Sequence, residues 1–308
     1  MHQYHFCLGD SLDKIFPGRP PKDRENPFRA GCFAGERTAF QIAYTIDYHD
    51  SHMLEEDIKF EIKTPPGMEV KVFRAALVPS AYPCSGLSDD DYLTKEPGMF
   101  PDVVVPLPAS TVRAVPGQWR ALWVQICIDR DMRPGNYAVT VSVSVKDGEI
   151  LWKREAEIMV HSGKLPVQRL IHTEWLHADC LADYYRVPVF SEQHWQILKK
   201  FVTLAAESGI NMILTPLFTP PMDTAVGGER TTVQLVDAEL TEEGWKFGFS
   251  RLGRWISMCR ECGIVWLEMA PLFTQWGAAA APKIMALKEG RQQQVFGWDT
   301  DAAGEEYR

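Results

Sequence analysis

The tetrapeptide Pro-Leu-Phe-Thr occurs twice in this chain, as Pro216-Leu217-Phe218-Thr219 and as Pro271-Leu272-Phe273-Thr274. Each copy closes an apolar segment, Ile210 to Leu217 in the first case and Ile264 to Met269 in the second. A strand that is apolar on both faces is typical of a parallel sheet covered by helices. The repeat therefore predicts two equivalent strands of such a sheet.

An amphipathic helix is predicted before each of these strands. Ser191 is a good N-cap and Gly209 a good stop for the first helix, whose apolar stripe is formed by Trp195, Leu198, Phe201, Val202 and Ala205. The second helix is predicted from about Ser250 to Glu261, with Gly263 at its stop. Together with a first strand from Leu170 to about Leu176, the order is strand, helix, strand, helix, strand, as in parallel sheets and barrels.

This order predicts the opening part of a (β/α)8 (TIM) barrel, about three βα units, in residues 164–308. A complete barrel needs about 250 residues, whereas roughly 140 remain from Arg169 onward. We therefore expect an incomplete barrel whose later strands lie beyond Arg308.

A period of two dominates the region before the barrel. Apolar and polar side chains alternate in four segments, Phe40 to Ile46, Ile58 to Ile62, Val70 to Arg74 and Tyr137 to Val145. Turn signals such as Pro134-Gly135-Asn136 and Asp147-Gly148 separate such segments. We predict an antiparallel β-sandwich over residues 1–163, joined to the barrel by a polar linker from His161 to Pro166.

Composition indicates a globular protein with a neutral ligand. Hydrophobic residues make up 45% of the chain and charged residues 24%, as in soluble proteins. The net charge of −9 without a long basic run argues against nucleic-acid binding, and no apolar run approaches the ~18 residues of a membrane span. No secretory signal is visible, and the seven cysteines are irregularly spaced, so we expect a cytoplasmic location.

Polar and aromatic side chains follow the predicted strands. Trp175, His177 and Asp179 come at the end of the first, and Thr219 and Trp276 follow the second and third. Binding residues of parallel α/β structures lie at the carboxyl ends of the strands. Because an indole stacks on a sugar face and polar groups bind its hydroxyls, these residues predict a site for an uncharged polyol.

Other interpretations of these strands stay open. His172, Glu174, His177 and Asp179 are ligand types for zinc or iron, but strand alternation puts His177 on the face opposite His172 and Glu174, so no metal site is predicted. His172 and Glu174 are alternatively a pair that satisfies each other inside the barrel. Glu268, in the middle of the third strand, is either catalytic or structural.

Two further motifs allow more than one interpretation. Cys259-x-x-Cys262 lies near the carboxyl end of the second helix, whereas redox pairs occupy helix amino ends. We interpret it as two buried helix cysteines, with a redox or metal protein as the alternative. The loop from Pro220 to Arg230 either reaches over a ligand or packs rigidly, with Arg230 paired to Glu229 or Asp223.

No catalytic residue is predicted in this chain. Glycoside hydrolysis needs two acidic groups ~5 to 9 Å apart, or one acid with an assisting substrate group. The acidic clusters lie in polar, turn-like or terminal contexts and are interpreted as solvated charge; they are Glu55-Glu56-Asp57, Asp89-Asp90-Asp91 and Glu305-Glu306. None of them is an acid pair at a strand end.

Several stretches resemble the catalytic domain of glycoside hydrolase family 123. They are Trp175 to Cys180, Asp183-Tyr184-Tyr185, Gly209-Ile210-Asn211, Pro216 to Thr219, Gly227 to Arg230, Val233-Gln234-Leu235, Phe273 to Gly277 and Phe296-Gly297-Trp298. Upstream, the stretches Pro97 to Asp102, Leu107 and Pro134 to Tyr137 are similar to the β-sandwich that precedes that domain.

The resemblance implies a retaining exo-β-N-acetylgalactosaminidase that acts on a glycan or glycoconjugate with a terminal 2-acetamido sugar, without metal or cofactor. In this family the 2-acetamido group attacks the anomeric carbon to give an oxazoline, and an adjacent Asp-Glu pair orients that group and protonates the leaving oxygen. That pair belongs to a later barrel strand, so the resemblance implies a truncated fragment that is inactive alone. The alternative is a non-catalytic carbohydrate-binding protein whose sandwich binds the sugar.

Overall fold

A computed structural model describes residues 3–22, 28–47, 57–84, 91–145, 148–222, 224–275 and 277–308. The chain divides into two compact units, Met1–Val167 and Gln168–Arg308. Within the described ranges it forms seventeen strands and three helices. None of these helices is long and apolar enough to cross a membrane.

The first unit contains two five-stranded sheets. The first sheet is antiparallel throughout and consists, in order across the sheet, of β1 (Tyr4–Asp10), β3 (Arg37–Ile46), β8 (Arg120–Ile128), β5 (Met68–Ser80) and β6 (Gly98–Pro106). The second sheet consists of β2 (Phe28–Ala34), β10 (Ile150–Lys164), β9 (Gly135–Val145), β4 (Asp57–Lys63) and β7 (Thr111–Arg113). Its strands are antiparallel except for the β2–β10 pair, which is parallel.

One hydrophobic core is shared by the two sheets. Ile42 of β3 and Leu122 of β8 come from the first sheet, and Val139 and Val141 of β9 from the second, and all four are fully buried. Each is flanked along its strand by side chains that point to the other face. The alternation in the sequence thus marks the residues between the sheets.

The outer face of β3 is covered as well. Gln41, which is buried, donates from its side-chain nitrogen to the carbonyl oxygens of Asp10 (2.8 Å) and Asp13 (2.7 Å). Ile15 packs next to Ala43 in a small second cluster. Residues 10–15 therefore cover this strand, which a strict alternation of buried and solvated faces does not predict.

A three-stranded parallel sheet lies in the second unit. It consists of β11 (Thr173–Glu174), β12 (Met212–Thr215) and β15 (Trp266–Met269), with β12 in the centre. Two helices, α1 (Ala178–Tyr185) and α2 (Glu192–Glu207), lie between β11 and β12 along the chain, and α3 (Ser250–Glu261) precedes β15. The carboxyl ends of the three strands therefore meet at one edge.

The sequence of α2 and α3 explains their bounds and their packing. The Ser191 hydroxyl caps α2 by accepting from the backbone N–H of His194 at 3.3 Å. Leu198 of α2 and Trp255 of α3 are fully buried in the core of this unit. The Trp255 indole donates to the Thr215 hydroxyl at 3.2 Å, which attaches α3 to the central strand.

Two β-hairpins complete the second unit. They are formed by β13 (Asp237–Thr241) with β14 (Gly244–Gly248) and by β16 (Ile284–Lys288) with β17 (Arg291–Phe296). The parallel β13–β16 pair joins them into one four-stranded sheet.

The predicted fold class, with an incomplete (β/α)8 barrel after the sandwich, is wrong. The chain is mostly β-structure, and in the part that the structure describes the parallel sheet has three short strands, without a barrel. The strand predicted from Leu170 to Leu176 is two residues long. After β12, Ala238 and Leu240 alternate with polar residues and are followed by a tight turn into β14, so this segment pairs with itself.

The shared core of the first unit predicts a large cost for a cavity. Leu122→Ala deletes the same atoms as Leu12→Ala, but Leu122 is fully buried whereas Leu12 is almost fully exposed. We expect Leu122→Ala to lower the free energy of unfolding of this unit by about 2 to 4 kcal/mol and Leu12→Ala by less than about 0.5 kcal/mol. Urea unfolding followed by circular dichroism measures both, and equal losses would contradict the assigned core.

Candidate functional site

Glu268 connects the two outer strands of the parallel sheet. Its carboxylate accepts a hydrogen bond from the Trp175 indole N–H at 3.1 Å and another from the Thr173 hydroxyl at 2.5 Å. Thr173 lies in β11 and Trp175 just after it, whereas Glu268 lies in β15, and the two strands are separated by β12. The Glu268 side chain therefore crosses the central strand. Trp175 remains 47% exposed at the carboxyl end of β11.

His177 and Asp179 lie at the start of α1, directly after this tryptophan. His177 is the half-buried N-cap residue of α1. Asp179 lies in its first turn, where a carboxylate is favoured by the helix dipole, and is only 3% exposed.

Asp179 forms a buried ion pair with Arg230. Two guanidinium nitrogens of Arg230 donate to its two carboxylate oxygens, at 2.7 and 3.2 Å. A third donates to the carbonyl oxygen of Met222 at 2.9 Å. Arg230 therefore joins the amino end of α1 to the loop that follows β12.

The partner of Arg230 decides between the interpretations of that loop. Arg230 pairs with Asp179, while Glu229 pairs with Lys283 at 2.9 Å. Asp223, the other partner considered, lies outside the described residues. The carboxyl end of the loop is thus held by two ion pairs, and Arg230 also binds the Met222 carbonyl near its amino end, as in the rigid interpretation, although the partners differ from those predicted.

Thr219 and its counterpart Thr274 are both buried and both fix a later piece of backbone. The Thr219 hydroxyl accepts from the N–H of Val233 at 3.2 Å. The Thr274 hydroxyl donates to the carbonyl oxygen of Ala280 at 3.0 Å. Each copy of the tetrapeptide therefore ends in a threonine whose hydroxyl binds the backbone of a later residue, Val233 for Thr219 and Ala280 for Thr274.

The repeated phenylalanines line an aromatic pocket of about 780 Å³. Its rings come from both copies of the tetrapeptide, from the two hairpins and from the last residues of the chain: Phe218, Trp245, Phe247, Phe273, Phe296 and Tyr307. The Phe296 and Tyr307 rings are 5.1 Å apart, edge to face. Trp175 and Glu268 are not among the lining residues, so the pocket and the carboxylate site are different features.

Trp276 lies outside the described residues. Of the other predicted site residues, Trp175, His177 and Asp179 lie together where β11 leads into α1, and Thr219 lies in the loop that Arg230 holds. The links that Arg230 and Glu268 form with Asp179 and Trp175 join residues 51 and 93 positions apart in the chain, and no local sequence signal predicts them.

His194 fixes the position of α1 relative to α2. It is fully buried, its Nε2 lies 2.9 Å from the carbonyl oxygen of Ala178, and its Nδ1 accepts from the N–H of Phe190 at 2.9 Å. Because Nδ1 accepts, the ring proton is on Nε2 and the ring is neutral. Burial lowers the pKa of His194 from 6.5, against the opposing effects of the Ala178 hydrogen bond and the Asp179 charge.

Cys259 of α3 and Cys262, the C-cap residue of that helix, are both part of the helix packing. Cys259 is buried, and burial raises the pKa of its thiol to about 12. Cys262 is half-buried and accepts from the Thr203 hydroxyl at 3.3 Å. Among the described residues, no group of three or more His, Cys, Asp and Glu side chains is placed to hold a metal ion.

A family comparison identifies the second unit. Residues 175–308 match the family model described as glycoside hydrolase 123, catalytic domain. This part of the chain belongs to glycoside hydrolase family 123. The predicted family is confirmed, and the family 123 match begins at Trp175, the residue bound by Glu268.

One solved structure has a fold similar to that of this chain. A family 123 glycoside hydrolase from Clostridium perfringens, studied for glycolipid glycan hydrolysis, has a TM-score of 0.70 and 13% identity. The likeness covers 96% of this chain and 52% of that one, so this chain spans about half the length of that enzyme. At this identity the likeness shows the fold alone.

Two further solved structures resemble this chain only weakly, with a TM-score of 0.27 each. A FixG-related protein from Vibrio parahaemolyticus has a TM-score of 0.27 and 11% identity, covering 51% of this chain and 95% of that one. The N-terminal domain of PorA has a TM-score of 0.27 and 9% identity, covering 52% and 99%. A search of the curated proteins found no match.

Removing the charge of Asp179 should destabilise the family 123 unit. Asp179→Asn leaves the Arg230 guanidinium buried without its counter-charge, so we expect a loss of about 3 kcal/mol in the free energy of unfolding. Glu243→Gln is the matched control, because the Glu243–Lys246 pair is exposed and such pairs contribute about 0 to 1 kcal/mol. Denaturant unfolding measures both, and similar losses would show that the buried pair is not needed.

The buried neutral His194 predicts a loss of stability in acid. Its pKa is lowered on folding, so the unfolded chain binds the proton more tightly. The contribution of the neutral ring is complete above about pH 6.5 and falls as the pH drops below that value, by at most about 1.4 kcal/mol per pH unit. Unfolding between pH 7 and 5 should show this slope in wild type and in His172→Gln, whose ring is exposed, and should lose it in His194→Gln.

Proposed function

We propose that this chain forms the sugar-binding part of a retaining exo-β-N-acetylgalactosaminidase-type glycoside hydrolase. The ligand is a glycan or glycoconjugate with a terminal 2-acetamido sugar. The observation that carries the proposal is the Trp175 indole, half-exposed and hydrogen-bonded at a strand end, at the first residue of the family 123 match. An indole in this state offers a flat apolar surface to the C–H groups of a pyranose ring.

Polar groups near Trp175 suit an uncharged polyol. His177 follows two residues later at the start of α1, and the side chain of Glu268 lies at the indole edge. Asp179 has a supporting part in the proposal, because both of its carboxylate oxygens bind Arg230. Thr219 holds the loop that follows the neighbouring strand.

The proposed chemistry is substrate-assisted. The 2-acetamido oxygen forms a bond to the anomeric carbon as the glycosidic C–O bond breaks, and an acid gives its proton to the leaving oxygen. Water then adds to the anomeric carbon, gives a proton back to that acid and opens the oxazoline, so the configuration is retained. The 308 residues contain no Asp-Glu dipeptide, and we assign none of them the acid role.

The 308-residue chain should bind the sugar without turning it over. We expect N-acetylgalactosamine to bind at least about tenfold more tightly than galactose, which lacks the acetamido group. Titration calorimetry measures both sugars, and an aryl β-N-acetylgalactosaminide tests hydrolysis. Sugar-induced NMR shifts confined to the first unit would favour the carbohydrate-binding alternative.

Trp175→Ala should weaken N-acetylgalactosamine binding about tenfold, because the stacking surface is lost. Trp266→Ala is the matched control. Trp266 is 51% exposed and lies in the same sheet, but at the amino end of β15, so its removal should leave the dissociation constant unchanged. Equal effects of the two substitutions would contradict the placement of the sugar at the carboxyl ends of the strands.

A further inference from the structure

We propose that Glu268 is a positioning residue, whose carboxylate fixes the Trp175 indole in the orientation that receives the sugar ring. This inference rests on the proposed function and assigns Glu268 a role within it. It starts from the hydrogen bonds that the carboxylate accepts from Trp175 at 3.1 Å and from Thr173 at 2.5 Å.

The geometry restricts both partners. A tryptophan side chain has two rotatable bonds, and a hydrogen bond at its single N–H limits the rotation of the ring plane. The carboxylate is itself restricted, because its second oxygen is occupied by the Thr173 hydroxyl. An indole held in this way has lost its rotational freedom before a ligand arrives, which lowers the entropic cost of binding.

Trp255 of α3 shows what a purely structural indole looks like in this unit. Its N–H is also bound, to the Thr215 hydroxyl at 3.2 Å, but its ring is fully buried. Trp175 is bound by a carboxylate, a stronger acceptor than a hydroxyl, and keeps 47% of its surface exposed. An anchored edge together with an open ring is the combination that a stacking platform requires.

The position of Glu268 favours an action through Trp175. Both carboxylate oxygens accept hydrogen bonds from protein groups, and the side chain crosses the central strand to reach them. Glu174, the neighbouring acid in β11, lies 3.8 Å from His172 instead. Glu268 is therefore the acid that joins the outer strands around the platform.

A double-mutant cycle tests this role. Glu268→Ala should weaken N-acetylgalactosamine binding about fivefold by freeing the indole, whereas Glu268→Gln, which keeps an acceptor oxygen, should remain within about twofold of wild type. Trp175→Phe keeps a ring but lacks the N–H donor. In that background Glu268→Ala should have no further effect, because the two residues act through one contact. Glu174→Ala is the control acid and should bind as wild type does.

A spectroscopic readout separates positioning from general damage. The indole N–H resonance of Trp175, assigned by its absence in Trp175→Phe, should shift in Glu268→Ala and stay near its place in Glu268→Gln. The inference is overturned alone if Glu268→Ala binds the sugar as wild type does, or if Glu268→Ala weakens binding equally in the Trp175→Phe background. Failure of the unmodified chain to bind any 2-acetamido sugar would overturn the proposed function together with it.

Discussion

The buried ion pair between Asp179 and Arg230 determines the arrangement of the candidate site. Asp179 lies in the first turn of the helix that follows β11, and Arg230 ends the loop that follows β12. The carbonyl oxygen of Arg230 also lies 3.5 Å from the amino group of Lys283, which precedes β16 and follows β15. One guanidinium and its backbone therefore link the connections after all three parallel strands. Two buried charges are tolerable here because the pair is bidentate and the third guanidinium nitrogen donates to the Met222 carbonyl.

Two of the three helices in the second unit, α2 and α3, could be predicted from the sequence because their signals are local, whereas α1 (Ala178–Tyr185) was not predicted. The serine cap and the helical spacing of Trp195 and Leu198 lie within one segment, and so does the glycine that ends it. The β13–β14 hairpin was missed because its apolar residues, such as Trp245 and Phe247, alternate with polar or glycine residues on short strands instead of forming an apolar run. That alternation, and the tight turn between β13 and β14, is the signal that would have argued against a barrel.

The site was predicted only in part for a different reason. Trp175, His177 and Asp179 are visible in the sequence because polar and aromatic residues follow a predicted strand. The partners of Asp179 and Trp175 are identified only by the structure, because strand pairing and loop packing bring Arg230 and Glu268 next to them from distant parts of the chain. A strand-end carboxylate in the sequence therefore indicates the neighbourhood of a site, but the identity of its hydrogen-bond partner decides whether it holds the scaffold or faces a ligand.

The two acids of the site illustrate this distinction. Asp179 is buried and its charge is balanced by an arginine, so it contributes rigidity. Glu268 is partly exposed. It accepts hydrogen bonds from an indole and a hydroxyl, which are neutral groups and do not balance the negative charge of the carboxylate next to Trp175. In a chain of net charge −9, this charge disfavours an acidic ligand on the indole. The carboxylate that is proposed to orient the ring therefore disfavours an anionic ligand, which is consistent with the uncharged sugar that the platform is proposed to bind.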